Sequence, residues 1–268
     1  IVNGLVGSEM CIRDRMISKP KVEICFTPNL FPLYAEGFDI VVAIDVLRAT
    51  SVICTAFHYG VNKIIPVSSI HEANDYLSKG YHVAAERKGE IVSGFKLGNS
   101  PLTYMNDNLL DQTLVLTTTN GTKAINITNR SKQLLIGSFL NLDAICSYLI
   151  DLNKNVLLLG SGWQNKFCLE DSICAGAISD QLLNSNNFQS SNDSTVAARY
   201  LYLSAKSNYF GFLKASSHRK RLKKLNLNED IKYCLTPNQT NVIPFRVDNY
   251  LKVPVSYTHL RAHETIDD

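Results

Sequence analysis

Short apolar runs separated by polar loops recur along the chain, and the clearest is Ile40-Val41-Val42-Ala43-Ile44. Five apolar residues in a row predict a strand buried on both faces of a parallel sheet, since a strand with one wet face would alternate. Similar runs recur at Val22-Glu23-Ile24-Cys25-Phe26, Lys63-Ile64-Ile65-Pro66-Val67, His82-Val83-Ala84-Ala85, Leu114-Val115-Leu116, Leu134-Leu135-Ile136-Gly137 and Val156-Leu157-Leu158-Leu159. Between them apolar positions fall at helical spacing: Val52, Ile53, Ala56 and Phe57, then Ala73, Tyr76 and Leu77, then Ile173, Ala177, Ile178 and Leu182. Strand followed by helix in short steps predicts an α/β fold with parallel connections. Ser69 with Glu72 predicts a capping box, and Asn141 a helix cap. Residues 184–194 read as a polar loop, residues 195–210 as a helical segment, and Asp230-Ile231-Lys232-Tyr233-Cys234 as a final strand, with the ordered core ending at Val242-Ile243-Pro244.

Charged and hydroxylated residues concentrate where the apolar runs end. The first run passes directly into Asp45-Val46-Leu47-Arg48-Ala49-Thr50, at the place where open α/β sheets bind ligands. Thr50 and Ser51 are expected to cap the following helix, turning its free N–H groups and positive dipole end to the same crevice. Two readings fit: an anion site with a carboxylate beside it, or a buried Asp–Arg pair that ties strand to helix. Glu86-Arg87-Lys88-Gly89 again sets an acid beside a base at a strand end, and Gly98-Asn99-Ser100-Pro101 is a turn. Thr117-Thr118-Thr119-Asn120-Gly121-Thr122-Lys123 brings hydroxyls, an amide, a glycine and a lysine to a helix start. These are the materials of a phosphate cradle, or else of a polar capping turn, and the spacing is not that of a Walker A loop. Gly160-Ser161-Gly162 lacks a third glycine at Asn165, which weakens a dinucleotide reading. Glu170 and Asp171 open a long helix, either as site carboxylates or as partners of its dipole. The basic run His218-Arg219-Lys220-Arg221-Leu222-Lys223-Lys224 reads as a solvated helix face in preference to a substrate or nucleic-acid contact. His58 and His82, on apolar elements, read as core residues rather than metal ligands.

Composition narrows the class. Of 268 residues, 45% are hydrophobic and 19% charged, as in ordinary globular proteins, and no apolar run reaches the roughly 18 residues that span a bilayer. Seven cysteines (11, 25, 54, 146, 168, 174 and 234) are scattered without a CxxC pair, which argues for a reducing cytoplasm and against a zinc site. Residues 1–15 and 255–268 resemble translated adapter read-through, so the native chain is expected to run from Met16 to Pro254. The net charge is +3; the head carries two basic and two acidic residues and the tail one and three, leaving the core at +5. That suits a small anionic substrate and is too weak to imply nucleic acid.

Asp45 to Thr50, Glu86-Arg87, Gly98 to Pro101, Thr118 to Ala124, Leu169-Glu170-Asp171 with Ala175-Gly176, and Ser217-His218 ahead of Asp230 to Cys234 together resemble the 2-phosphosulfolactate phosphatase family. The resemblance spans residues 21–247. It implies a layered α/β/α fold special to that family, with a mostly parallel or mixed sheet. It also implies a magnesium-dependent phosphatase converting (R)-2-phospho-3-sulfolactate to 3-sulfolactate and phosphate, a step of coenzyme M biosynthesis. The residues expected at the reaction are Asp45, Arg48, Glu86 and Arg87. Those expected on the substrate are Thr50, Asn99, Ser100, Thr118, Thr119, Asn120, Gly121, Thr122 and Lys123. Metal ligands are expected among Asp45, Glu170 and Asp171, because Mg²⁺ takes oxygen ligands and needs only one or two carboxylates beside the phosphate. A cytoplasmic homo-oligomer with no nucleic-acid or membrane partner is the expectation. Hydrolysis of another phosphorylated hydroxy acid and non-catalytic anion binding are the alternatives.

Overall fold

The computed structural model describes residues 19–34, 36–128 and 133–254; the two ends expected to be foreign, and Cys11, lie outside them. The apolar runs become strands β1 (Val22–Cys25), β2 (Ile40–Ile44), β3 (Lys63–Pro66), β4 (His82–Arg87), β5 (Glu90–Ile91), β6 (Thr113–Thr117), β7 (Gln133–Gly137) and β8 (Val156–Gly160). The helices are α1 (Ala49–His58), α2 (Ile70–Ser78), α3 (Gly121–Ile127), α4 (Leu142–Leu152), α5 (Leu169–Asn184), α6 (Asp193–Ala205), α7 (Tyr209–Phe212), α8 (Ser217–Lys224) and α9 (Asn228–Cys234). A hairpin, β9 (Phe245–Val247) and β10 (Tyr250–Lys252), completes a ten-stranded sheet in the order β1-β8-β2-β7-β9-β10-β3-β6-β4-β5. β1, β8, β2 and β7 pair in parallel, as do β3, β6 and β4. The hairpin joins these two blocks through antiparallel pairs.

β2 is buried throughout, as its unbroken apolar run requires. Ile40, Val42 and Ile44 face one way, into a core shared with α4, α5 and α6, whereas Val41 and Ala43 face the other, against α1. The layered α/β/α arrangement follows from that two-sided burial. A smaller third core holds α2 against Val83, Ala85 and Val115. α5 and α6 approach closely because position 176 is glycine: a Cβ there would lie 2.1 Å from the Ala198 carbonyl oxygen.

The three antiparallel junctions at β9 and β10 reverse the sense of the second parallel block, which on a flat sheet would send the ends of β2 and β4 to opposite edges. Six steps separate those strands. Ordinary twist of roughly 20–25° per step accumulates to about 120–150° over six steps and brings the two ends back toward one another. The site depends on that convergence.

Several sequence expectations change. Residues 230–234 belong to helix α9, not a strand: Asp230, Ile231 and Cys234 are buried at helical spacing, and Glu229 and Asp230 occupy the first turn, where acids suit the dipole. The ordered core continues past Pro244 into β9 and β10, turning through Asp248 at a φ of +51°. The helix expected over 195–210 breaks after Ala205, and α7 restarts where the Asn208 side chain accepts from the Gly211 amide. His82 is exposed rather than in the core, while half-buried His58 contacts Thr240. Ser69 caps α2 as expected, but Glu72 returns its carboxylate to the Ser68 amide. Asn141 does not cap α4; its Oδ1 accepts from Ser138 in the preceding turn. No helix among the described residues is long and apolar enough to cross a membrane.

Candidate active site

A cleft opens where β2, β4 and β6 end, with α8 as its far wall. Asp45, Arg48, Glu86, Lys88, Asn99, Thr118, Thr119 and Asn120 line it from the sheet side, and Trp163, His218 and Arg221 from the other. The loop after β2 is built around the Asp45 backbone. The Thr50 hydroxyl donates to the Asp45 carbonyl and accepts from the Asp45 amide, and Ser51 donates to the Val46 carbonyl. Neither caps α1, because both lie inside it; Asp45 Oδ1 instead accepts from the Ala49 amide at 3.2 Å. The alternative reading, an Asp45–Arg48 pair tying strand to helix, is not realised. Arg48 is buried and reaches Asp230 at 3.1 Å and the Gly89 carbonyl at 2.8 Å, which ties α9 and the loop after β4 to the cleft. Burial pushes the Asp45 carboxyl above the usual range, against the lowering effect of His218.

Glu86 lines the cleft with both oxygens engaged. It accepts from the Gly89 amide at 2.6 Å, the Thr119 hydroxyl at 3.0 Å and the Thr119 amide at 3.1 Å, so it clamps the loops after β4 and β6 together. Arg87 turns away to the Glu86 carbonyl and the Thr117 hydroxyl. In the expected phosphate cradle, Thr118 and Thr122 satisfy each other: each hydroxyl accepts from the other's backbone amide, and the Thr122 hydroxyl also donates to the Thr118 carbonyl. Thr122 and Lys123 do not line the cleft, and Lys123 is exposed. Gly121 serves by its lack of a side chain. A Cβ there would stand 2.7 Å from Asp45 Oδ2 and 2.4 Å from the Ala49 methyl. Asn99 carries a buried Oδ1 with no protein partner, while Ser100 faces a neighbouring cavity.

The two acids of α5 divide. Asp171 accepts from the Val46 amide, the Ser161 hydroxyl and the Gly162 amide at 2.9–3.2 Å and does not line the cleft, so it braces the loops after β2 and β8. Burial, with Asp45 and Glu170 nearby, pushes its carboxyl well up. Glu170 is buried; Oε1 meets His218 Nδ1 at 2.5 Å, and Oε2 has no partner among the described residues. Burial disfavours its charge, yet the His218 contact outweighs this and holds the carboxyl below the usual range.

The basic run read as a solvated face supplies the far wall. Arg219 is buried over the Phe210 ring and donates to the Phe210 carbonyl, which packs α8 down. His218 and Arg221 face the cleft, and only Lys220, Lys223 and Lys224 carry the solvated side. The Arg221 guanidinium lies 4.0 Å from the Trp163 ring centre, and its Nε and Nη2 are buried without partners among the described residues. Stacking fixes the plane of the fork, and two idle donors in a cleft wall fit an oxyanion. The sequence offers only Leu222, the one apolar residue of the run, as a sign that a face of α8 packs inward; the burial of Arg219 beside it comes from the fold.

A cleft built of two guanidiniums, a lysine, two acids and an acid-bound histidine can hold a multiply charged anion and move a proton to or from it. A sequence profile described as 2-phosphosulpholactate phosphatase matches residues 25–249. A protein of Caldanaerobacter subterraneus subsp. tengcongensis is 37% identical over 209 residues, 76% of this chain and 86% of its own length. One of Synechocystis sp. is 37% identical over 233 residues, 85% and 96% of the two chains. Both carry the name probable 2-phosphosulfolactate phosphatase. With most of its described length covered by the profile, this chain belongs to the 2-phosphosulpholactate phosphatase family.

Proposed function

We propose that the protein is a magnesium-dependent phosphatase that hydrolyses (R)-2-phospho-3-sulfolactate to 3-sulfolactate and phosphate, a reaction of the coenzyme M biosynthetic type. The single observation that carries this reading is the gathering of the Asp45 carboxylate with three cations, Arg48, Lys88 and Arg221, in one cleft. The substrate has a phosphate at one carbon and a sulfonate at the next, so it needs cations at two ends. Arg48 and Lys88 serve the phosphoryl end, and the stacked Arg221 fork serves the sulfonate.

The donor set suits magnesium, which takes oxygen ligands and keeps several waters. Asp45 at the cleft and the unpartnered Oε2 of Glu170 would hold the ion, whereas Asp171, already bonded to three donors, would support the loops. Bound there, magnesium supplies charge neutralisation at the phosphoryl oxygens. Asp45, made more basic by burial, takes the proton of the attacking water as its oxygen bonds to phosphorus and the ester P–O bond breaks. His218 gives a proton from Nε2 to the leaving alkoxide, with its ring oriented by Glu170 at Nδ1. Glu86 positions Thr119 and Gly89 and takes no part in the bond changes.

Phosphate release from racemic 2-phospho-3-sulfolactate, phospholactate and phosphoglycerates, with magnesium and with EDTA, tests this reading. Magnesium-dependent release selective for the sulfonate is expected. Release from the other esters alone would discard the substrate, and release from none would leave an anion-binding protein. Single turnover in ¹⁸O water is expected to label phosphate directly; label appearing in the protein would replace water attack by an aspartyl intermediate.

A further inference from the structure

The scattered cysteines argue against a zinc site in the sequence, but the fold places one of them beside a histidine and an acid. The Cys168 thiol, one Glu170 oxygen and one His218 ring nitrogen lie within 4.8 Å of one another. We propose that Cys168, Glu170 and His218 form a site for one thiophilic divalent cation of the zinc type, and that its occupancy stops hydrolysis by withdrawing Glu170 and His218 from the reaction.

Cys168 precedes the first residue of α5, Glu170 follows on its first turn, and His218 comes from the start of α8. Cys168 and Glu170 are buried, and the His218 side chain is only 13% exposed. Zinc binds mixed sulfur, nitrogen and oxygen donors at about 2.0–2.3 Å, which puts its ligand atoms about 3.5 Å apart, so filling this site needs side-chain shifts of about 1 Å, including separation of Glu170 Oε1 from His218 Nδ1, 2.5 Å apart without the ion. A second feature points to a cation: Glu170 Oε2 is buried with no partner among the described residues. The thiol also stands in a negative field. Asp171, Glu170 and Asp45 all lie close enough to act on it, and a cation at the sulfur would meet their charges favourably. Three protein ligands beside an open cleft leave a fourth position for water or an anion.

The set separates two metals. Magnesium, a hard cation, has no use for the sulfur, whereas zinc and cobalt do. Cys168 therefore sets which cation inhibits, and it takes no part in the proposed hydrolysis. The inhibitory half of the proposal rests on the roles given above to Glu170 and His218; the binding half does not.

Cobalt(II) reports the ligands by its spectrum. Titrating the full chain with cobalt should give a near-ultraviolet thiolate-to-cobalt charge-transfer band that saturates at one ion per chain and disappears when zinc is added. Cys168→Ser should lose the band and keep magnesium-supported hydrolysis. Glu170→Gln should keep the band with cobalt bound more weakly by at least about tenfold, the scale on which even a ligand's hydrogen-bond partners act. Zinc should abolish hydrolysis by the wild type and spare Cys168→Ser. Absence of the band in the wild type, or the same band in Cys168→Ser, overturns the site whatever the variants' stability. A band with zinc-insensitive hydrolysis overturns the inhibition. A band in a protein that hydrolyses none of the phosphoesters keeps the site and removes the phosphatase reading instead.

Discussion

Helices α3 and α8 begin with similar inventories: hydroxyls and a lysine at 117–123, a serine, a histidine, arginines and lysines at 217–224. By composition the first is a phosphate cradle and the second a solvated face. In the fold the loop before α3 still lines the cleft through Thr118, Thr119 and Asn120, and α8 adds His218 and Arg221. Thr118 and Thr122 consume each other's donors and acceptors, and Lys123 points to solvent. α8 sends His218 and Arg221 into the cleft, the latter with two donors free. Counting donors along a sequence measures what a loop owns, whereas binding depends on what its own folding has left unused.

The sharpest way to break this contrast is at His218. His218→Asn should lower kcat by about 10²–10⁴-fold, the range of a general acid, and the loss should be largest for substrates with poor leaving groups. A change of less than threefold would return α8 to the solvated role.

Arg221→Ala comes next. Removing a fork that makes charge-assisted bonds worth about 1.5–3 kcal/mol should raise KM for the sulfonate substrate by roughly 10–100-fold, with kcat less affected. Steady-state kinetics on the sulfonate substrate and on phospholactate would check it, since phospholactate should show little change.

The cradle residues are expected to act on stability instead. Thr122→Val breaks a buried reciprocal pair and should cost about 1–3 kcal/mol in chemical denaturation while leaving kcat and KM within about twofold. A large kinetic effect with unchanged stability would restore the cradle reading.

The acid cluster adds a smaller, pH-dependent effect. Asp45 and Asp171 carry folded pKa values raised chiefly by burial. Their contribution to stability is therefore complete below the unfolded value of about 3.9 and declines as pH rises toward the folded values. Glu170, held low by His218, works in the opposite sense: its contribution is present above about 4.3 and is lost as pH falls through the folded value. Magnesium binds the ionised form of Asp45, whose proton burial holds more tightly, so it should raise Tm more near neutral pH than near pH 5. Asp45→Asn should flatten that difference, and an equal magnesium shift at both pH values would place the ion elsewhere.

Much of the fold was legible because its signal is local. The unbroken run 40–44 announced a two-sided strand, and its polar continuation announced the cleft, where Asp45, Arg48, Glu86 and Thr119 do meet. What was missed depended on partners far along the chain. The pairing of Arg48 with Asp230 spans 182 positions, and no spacing rule connects them. Residues 230–234 carry β-branched and aromatic residues in a run too short to separate period 2 from 3.6, so tertiary packing decided for helix. The hairpin after Pro244 was readable in hindsight from the Asp248-Asn249 turn between alternating residues. The α8 wall stayed hidden because a basic run looks the same whether its arginines meet water or stack on Trp163.

The central claim is that α8, not α3, supplies the cation that meets the second charge of the substrate. The most direct measurement compares kcat/KM for 2-phospho-3-sulfolactate and for phospholactate in the wild type, Arg221→Ala and Lys123→Ala. The account requires the preference for the sulfonate to collapse in Arg221→Ala and to stay within about twofold of the wild type in Lys123→Ala, as for a charge pair screened by solvent. The reverse pattern, with preference lost at Lys123 and kept at Arg221, would contradict it.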